Sequence, residues 1–368
     1  MKNRCCCVFN LAAHYREPIY SLMGRELGCH FYFGDKIHTP IKLLEVHTLQ
    51  GFKGVLENKY FRNFYWQKGI RKVKHLKYDH LILTGEPYNI SNWYFLLARK
   101  ILKKKTYLWS HGFYGDESIL KMSIKKVFFN LSNKVFLYGD YSKKLMVDSG
   151  IKESKLVPVY NSLDFDNHVE IRSKLKKTNV FYNYFNNSYP VIIYVGRIQK
   201  VKKLDLLIEA IKNLKETGNV CNLVLVGKAV DDNSLKNIVE KNKLNDNVWF
   251  YGACYDEKVL GELFYNSHVC VSPGNIGLTA IHSLTYGTPV VTHNNFMNQM
   301  PEFEAVKDGL NGSFFKENDV LDLSTVIRKW LTINDEERER VRYASYDIIE
   351  KKYNPYSQIE TIRKALDL

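Results

Sequence analysis

Short apolar runs alternate with stretches of helical period along most of the chain. In the first half the runs fall at 5–9, 30–33, 80–84, 106–110, 134–138 and 156–159, and segments such as 18–27 and 92–104 repeat their apolar residues at helical spacing. Strands of about five residues separated by helices predict a parallel sheet, because a parallel neighbour is reached only through a long crossover connection. The first half therefore reads as one doubly wound α/β domain.

The segment 164–190 is charged, then rich in Asn, Tyr and Ser, with little period, and reads as a linker or surface excursion. After it the alternation restarts more clearly, with strands expected at 191–195, 222–226, 248–250, 269–272 and 289–292 and helices at 204–216, 233–242, 257–265 and 278–286. This predicts a second Rossmann-like domain. Two such domains side by side create a central cleft between the carboxyl ends of their strands, where ligands of this fold class sit. The stretch 335–368 is highly charged and helical in period, and Asn354-Pro355 must kink or split it. The expected division is a first domain over 1–165, completed by 355–368 if the last helix crosses back, a linker over 166–189, and a second domain over 190–354.

Composition sharpens this picture. The 368 residues are 45% hydrophobic and 14% aromatic, which supplies enough apolar surface for cores and excludes disorder. The formal charge of +14 lies entirely in the first half, where 1–165 hold 27 basic and 13 acidic residues against 26 and 26 over 166–368. A one-sided excess is a statement about partners: nucleic acid, an anionic membrane or a phosphorylated substrate. No helix-turn-helix, zinc or RNA-binding motif accompanies the charge, so nucleic acid is not expected. Seven cysteines without a CxxC pair read as reduced packing residues of a cytoplasmic protein. The start, 1–13, reads as a first strand and not a signal peptide, and nowhere do 18 apolar residues run together.

Two strand ends carry the chemistry of anion binding. The strand at 191–195 ends in Gly196-Arg197, and Lys202 follows just before a helix; a glycine permits the tight turn, and Arg and Lys beside a helix start suit a diphosphate. A solvated basic loop is the alternative, since Lys200 and Lys203 cluster with Lys202. The second strand end, Ser272-Pro273-Gly274-Asn275-Ile276-Gly277-Leu278, opens another helix, and its glycines let ligand oxygens approach free backbone N–H groups. Ordinary turn chemistry explains those glycines equally well. It explains less readily why both anion sites open helices of the same domain.

In order along the chain, Gly196-Arg197-Ile198 with Lys202, Asp205-Leu206-Leu207-Ile208-Glu209-Ala210, Val224-Leu225-Val226-Gly227, Val248-Trp249-Phe250-Tyr251-Gly252, Gly277-Leu278, Gly287-Thr288-Pro289-Val290-Val291 and Asp308-Gly309-Leu310-Asn311-Gly312 resemble the donor domain of the retaining, nucleotide-sugar-dependent glycosyltransferases of GT-B fold, family 4, group 1. Trp109-Ser110-His111-Gly112 and Tyr160-Asn161-Ser162-Leu163-Asp164 resemble that family's acceptor-side loop and interdomain turn, so the likeness extends loosely over the first domain. The resemblance implies a GT-B fold and transfer of a hexose from a nucleoside diphosphate sugar with retained anomeric configuration. Arg197 and Lys202 match the basic pair that stabilises the leaving diphosphate, and His111 matches a histidine that reaches the transferred sugar, although a core or surface histidine is the alternative there. Gly196, Gly227, Tyr251, Gly252, Asn275, Gly277, Leu278 and Thr279 fall on the donor side. No cofactor and no metal are expected, because Arg197 and Lys202 meet the diphosphate charge. No base or nucleophile is identified.

The chain also departs from the family pattern. Where two glutamates commonly stand eight positions apart, it has Gly274 and His282. Backbone N–H groups near Gly274 and Asn275 are then left to face the sugar and His282 the ribose, with Glu302 or Glu304 as a replacement carboxylate unless those glutamates only cap a helix start. This departure keeps a second reading open, a catalytically weak or inactive sugar-nucleotide-binding regulatory protein. On the acceptor side, His14 and Arg16 follow the first strand and Glu86 follows another strand end; a helix-entry salt-bridge cluster is the alternative for the first two. Residues 93–145 hold 11 basic and 3 acidic side chains interleaved with apolar ones. That pattern suits either a helix on an anionic membrane surface or an ordinary helix with a solvated face. A polyprenyl-diphosphate-linked or other glycan acceptor, met at the inner face of the cytoplasmic membrane during surface polysaccharide assembly, is the expected setting.

Overall fold

The computed structural model describes residues 5–37, 41–230 and 234–368. The chain divides into two compact units, one formed by Met1–Asp164 with Tyr353–Leu368 and the other by Phe165–Lys352.

The first unit is built on β1 (Cys5–Phe9), β2 (His30–Gly34), β3 (Phe52–Phe61), β4 (Phe64–Lys68), β5 (His80–Thr84), β6 (Lys105–Ser110), β7 (Lys134–Leu137) and β8 (Leu156–Pro158). They form one sheet in the order β4-β3-β2-β1-β5-β6-β7-β8, parallel throughout except for the antiparallel pair β3–β4. The helices are α1 (Glu17–Leu27), α2 (Ile90–Ile101), α3 (Ile119–Leu131) and α4 (Asp140–Asp148). Both faces of the sheet are covered, which is why β1 is apolar at every position. Cys5, Cys7 and Phe9 pack on one side with α1 and the C-terminal helix Pro355–Leu366, whereas Cys6 and Val8 pack on the other with Phe95, Phe128 and Phe129. Asn354-Pro355 does split the C-terminal stretch: the Asn354 side chain accepts from the Ser357 N–H, and Pro355 occupies a first-turn position that needs no N–H of its own.

The β3–β4 hairpin lies outside the sequence expectation. Its residues are mostly exposed or half-exposed and mixed in polarity, and it closes through Arg62, which takes a positive φ of 53°.

The second unit begins with α5 (Phe165–Arg172) and α6 (Val180–Phe185), so the linker expected at 166–189 is corrected to two helices of this unit. They belong to it because His168, Ile171 and Phe181 are buried. Strands β9 (Val191–Val195), β10 (Asn222–Val226), β11 (Val248–Gly252), β12 (Val269–Ser272), β13 (Val290–His293) and β14 (Gly312–Phe315) form an all-parallel sheet ordered β11-β10-β9-β12-β13-β14. Helices α7 (Leu204–Glu216), α8 (Ser234–Lys241), α9 (Glu257–Asn266), α10 (Thr279–Thr285), α11 (Val320–Leu331) and α12 (Asp335–Lys351) complete the unit. Of the helix expected over 233–242, the described residues give α8 over Ser234–Lys241, and Asn233 lies outside them. α7 shows the logic of the unit: Leu204, Leu207, Ile208, Ile211 and Leu214 recur at helical spacing and sink into a core with Leu223, Leu225 and Val271.

Candidate functional site

In a doubly wound sheet, crossovers leave in opposite directions at one point, and a crevice opens there outside the carboxyl ends of the strands. The first unit has this switch between β1 and β5. The loops after β1, β5 and β6 enclose a cavity of about 390 Å³ lined by Arg16, Glu86, Ser110, His111, Lys125 and Tyr138. Three residues expected from distant parts of the sequence, Arg16, Glu86 and His111, thus share one cavity.

Each is held from behind. The Glu86 carboxylate accepts from Asn10 Nδ2 at 3.0 Å and from the Tyr65 hydroxyl at 2.6 Å. Burial pushes this carboxyl above its ordinary range, against those two hydrogen bonds. The Arg16 guanidinium donates to the Tyr138 hydroxyl and lies over the Tyr138 and Trp109 rings, with centroids 4.9 and 5.3 Å away. The chain turns sharply after His111 because Gly112 takes φ +71°, and a Cβ there would stand 2.1 Å from Ser142 Oγ. The His111 ring lies 4.5 Å from that of Tyr138. Burial, followed by the charges of Arg16 and Lys125, holds the imidazole down at about 4, so it is neutral at pH 7. Its buried Nδ1 has no hydrogen-bond partner among the described residues. As a neutral ring in the cavity wall, His111 is of the kind that can exchange a hydrogen bond with a ligand hydroxyl. His14 is different: it is exposed, with Nδ1 3.2 Å from the Lys42 carbonyl, and it does not line the cavity.

The second unit has its switch between β9 and β12, so the loops after these strands are neighbours. Lys202 joins them, its ammonium donating to the Asn275 carbonyl at 2.6 Å and to Asn275 Oδ1 at 2.7 Å. Burial, with the nearby Arg197 charge second, depresses this ammonium to about 8, against the pull of Glu302. Glycine at 274 follows from the same contact, because a Cβ there would lie 2.2 Å from the Val201 carbonyl oxygen. The Gly274 N–H donates to the Lys202 carbonyl at 3.0 Å. The expectation that this N–H faces a sugar is thereby corrected: it closes one loop onto the other. Arg197 is exposed beside Gly196, and the Thr279 hydroxyl donates to the Val195 carbonyl at 3.0 Å, tying α10 to the end of β9. α10 is a seven-residue helix preceded by Gly277 and Leu278. The Gly227 N–H donates to the Gly252 carbonyl at 2.8 Å, and Tyr251 joins an aromatic row with Trp249, its neighbour on the edge strand β11, and Tyr184 of α6.

His282, on α10, receives a carboxylate from another helix. Its Nε2 stands 2.6 Å from Glu257 Oε1, which also accepts from the Tyr286 hydroxyl at 2.6 Å and lies 3.3 Å from His168 Nε2. Despite burial, the hydrogen bond and charge of His282 hold the Glu257 carboxyl below its ordinary range. Glu302 is 3% exposed in the turn Pro301–Ala305, and Glu304 is half-buried there.

The sequence reading missed Tyr65, Tyr138, Glu257, His168 and also Gln299, whose side chain accepts from the Ile276 N–H at 3.0 Å and donates to Thr292 Oγ1 at 2.8 Å. His168, Glu257 and His282 bring three potential metal-ligand atoms within 4.8 Å of one another, and so do Cys5, Cys7 and Cys29 in the core of the first unit. The seven cysteines are all free thiols. Asp164-Phe165-Asp166, an Asp-x-Asp run, sits at the start of α5 and not in either strand-end loop.

Residues 176–347 match the family model described as glycosyl transferases group 1. A 41.2 kDa protein in the cps region of Klebsiella pneumoniae is 28% identical over 275 residues, covering 72% of this chain and 67% of its own. Among solved structures, a glycosyltransferase from Rickettsia africae ESF-5 superposes with a TM-score of 0.76 at 16% identity over 99% of both chains. The Anabaena protein Alr3699/HepE in complex with UDP gives 0.73 at 14% identity, also over 99% of both.

Proposed function

We propose, from the premise that the chain belongs to the glycosyl transferases group 1 family and has the GT-B fold, that it transfers a hexose from a nucleoside diphosphate sugar, with retention, to a glycan acceptor. The acceptor is carried on a lipid diphosphate during capsule or related surface polysaccharide assembly. One observation carries the donor half of this reading: Lys202, held on Asn275 where the loops after β9 and β12 meet, stands with Arg197 at the topological switch of an all-parallel sheet. When the bond between the anomeric carbon and the diphosphate oxygen breaks, its electron pair leaves with the diphosphate. Two cations already positioned stabilise that charge without further reorganisation and without a metal. In the first unit, neutral His111 and the carboxylate of Glu86 offer hydrogen bonds to sugar hydroxyls, with Arg16 as the cation of the cavity. The cps-region relative and the UDP complex of a neighbour of the same fold support the setting and the nucleotide class.

The test is a thermal-shift panel of nucleoside diphosphate sugars on the wild type and on Arg197→Ala and Lys202→Ala, followed by single-turnover donor cleavage. Protection by at least one donor, lost in both variants, is the expected result. The enzyme reading fails if no sugar nucleotide protects the wild type or is cleaved by it, and the inactive, regulatory reading holds if one protects but none is turned over.

A further inference from the structure

The first unit leaves a large apolar face uncovered. α2 meets the core through Phe95 and Leu96 and turns Ile90, Tyr94, Leu97 and Ile101 to solvent, each at least 45% exposed. These four follow one another at helical spacing, so they form a continuous stripe that the fold itself does not use. The hairpin β3–β4 extends it: the Trp66 ring lies 6.5 Å from that of Tyr94, the Phe64 ring lies 5.9 Å from that of Tyr88, and Phe61 beside the hairpin turn is 73% exposed. α3 packs beside α2 through Trp93 and Phe128 and bears a second exposed row, Leu120, Ile124 and Val127. Such contiguous apolar surface marks an interaction site.

Its borders identify the partner. Lys100 and Lys103 adjoin the end of the α2 stripe, exposed and without a salt bridge among the described residues. Lys104 and Lys105, in contrast, engage Asp79 at 3.5 Å and Asp367 at 2.8 Å. Cations directly flanking aliphatic side chains, with aromatic rings beside them, reproduce the profile of a bilayer's polar boundary, where rings sit at headgroup depth and lysines meet lipid phosphates. A protein interface core, by comparison, is depleted in lysine.

We propose that the α2 stripe and the β3–β4 hairpin form a docking face for an anionic bilayer. Tyr94, Phe64 and Trp66 lie at headgroup depth, Leu97 and Ile101 enter the acyl boundary, and Lys100 and Lys103 contact phosphates. This deepens the acceptor half of the proposed function, yet it rests on the first unit alone, and vesicle binding is measured without donor or turnover. Failure of one reading is therefore distinguishable from failure of the other.

The experiment is sedimentation of the full chain with vesicles of phosphatidylcholine alone or with one-third phosphatidylglycerol. The wild type is expected to bind only the anionic vesicles. Lys100→Gln with Lys103→Gln should lower the partition coefficient about twenty-five-fold, roughly five-fold per lysine. Leu97→Ser with Ile101→Ser should weaken binding while the melting transition and donor cleavage in solution stay unchanged, since all four side chains are exposed and outside the cavity. Equal partition of the wild type and both double variants overturns the proposal, as does indifference of the wild type to anionic lipid. If the Leu97/Ile101 variant turns a dimer into a monomer in gel filtration without changing vesicle binding, the face belongs to a second copy and the proposal is refuted.

Discussion

Replacing Lys202 by methionine separates what this residue does for the fold from what it does for the reaction. Burial depresses its ammonium from an ordinary value of 10.5 to about 8, so keeping the charge costs the folded state about 3 kcal/mol. The two hydrogen bonds to Asn275, at 2.6 and 2.7 Å, return about 1.5–3 kcal/mol each as charge-assisted bonds. Set against that cost, the two bonds leave about 0–3 kcal/mol in favour of lysine, and the variant is expected to unfold in urea within about 3 kcal/mol of the wild type. The leaving diphosphate changes the balance. A unit charge about 4 Å away at an effective dielectric near 20 interacts by about 4 kcal/mol, and losing one such preorganised group lowers turnover by about 10²–10³.

The pH dependence gives a second readout with opposite signs. Between about 8 and 10.5 the unfolded chain holds a proton on Lys202 that the folded chain has released. This group therefore makes folding stability rise with pH across that window, by up to about 3 kcal/mol, and Lys202→Met lacks the increment. Donor capture needs the ammonium, so kcat/KM should fall above about pH 8. A bound diphosphate raises the value, so kcat should fall only at higher pH. Urea titrations of both proteins from pH 7 to 10.5, alongside initial rates of donor cleavage, measure the two trends. Wild-type turnover in the variant, or a flat kcat/KM from pH 7 to 9.5, refutes the assignment of the diphosphate to Lys202.

Three further perturbations probe other links. Gly274→Ala introduces a Cβ 2.2 Å from the Val201 carbonyl oxygen and should force the two loops apart, costing about 1–3 kcal/mol in stability and raising KM for the donor; an unchanged melt and KM would mean the loops part freely. His111→Ala should reduce turnover about ten- to a hundred-fold with the fold intact, and because burial keeps this imidazole at about 4, the wild-type rate should show no titration between pH 5.5 and 7.5 that the variant abolishes. Ile362→Ala, at a fully buried position of the C-terminal helix, should cost about 2–5 kcal/mol in urea unfolding, whereas a loss below 1 kcal/mol would show that this helix adds little to the first unit.

What was legible in the sequence follows from how local each signal is. Five of the six strands of the second sheet announce themselves by short apolar runs, and four of those five begin at the residue where the structure begins them; β13 starts one residue later, and β14 lies outside the expectation. Arg16 and Glu86 are legible because they follow strand ends, and His111 because its loop resembles the family's acceptor-side loop; the three meet because carboxyl ends at a topological switch converge whatever lies between them. The same rule drew in His14, whose ring bonds the Lys42 carbonyl instead. Position after a strand selects a loop, but which side chain of the loop enters the cavity depends on its backbone turn.

The missed elements and partners share one property: their sequence signal is complete under another reading. β3 pairs with β2 through its first half and with the edge strand β4 through its second, and the two hairpin strands expose about half their residues, so polar positions interrupt their apolar period. Glu257 opens a helix, where a carboxylate is already explained by the dipole, and Tyr65 sits in an alternating strand, where an aromatic ring needs no further reason. Only the fold reveals that Glu257 reaches His282 across two helices and that the Tyr65 hydroxyl reaches Glu86 across 21 positions. This bears on the departure at positions 274 and 282. The loops that lack the two expected glutamates are still accompanied by carboxylates, Glu302 acting on Lys202 and Glu257 bonded to His282, each brought from a separate element. A glycine at 274 is then consistent with a built site, because the same contact that forbids a side chain there holds Lys202 in position.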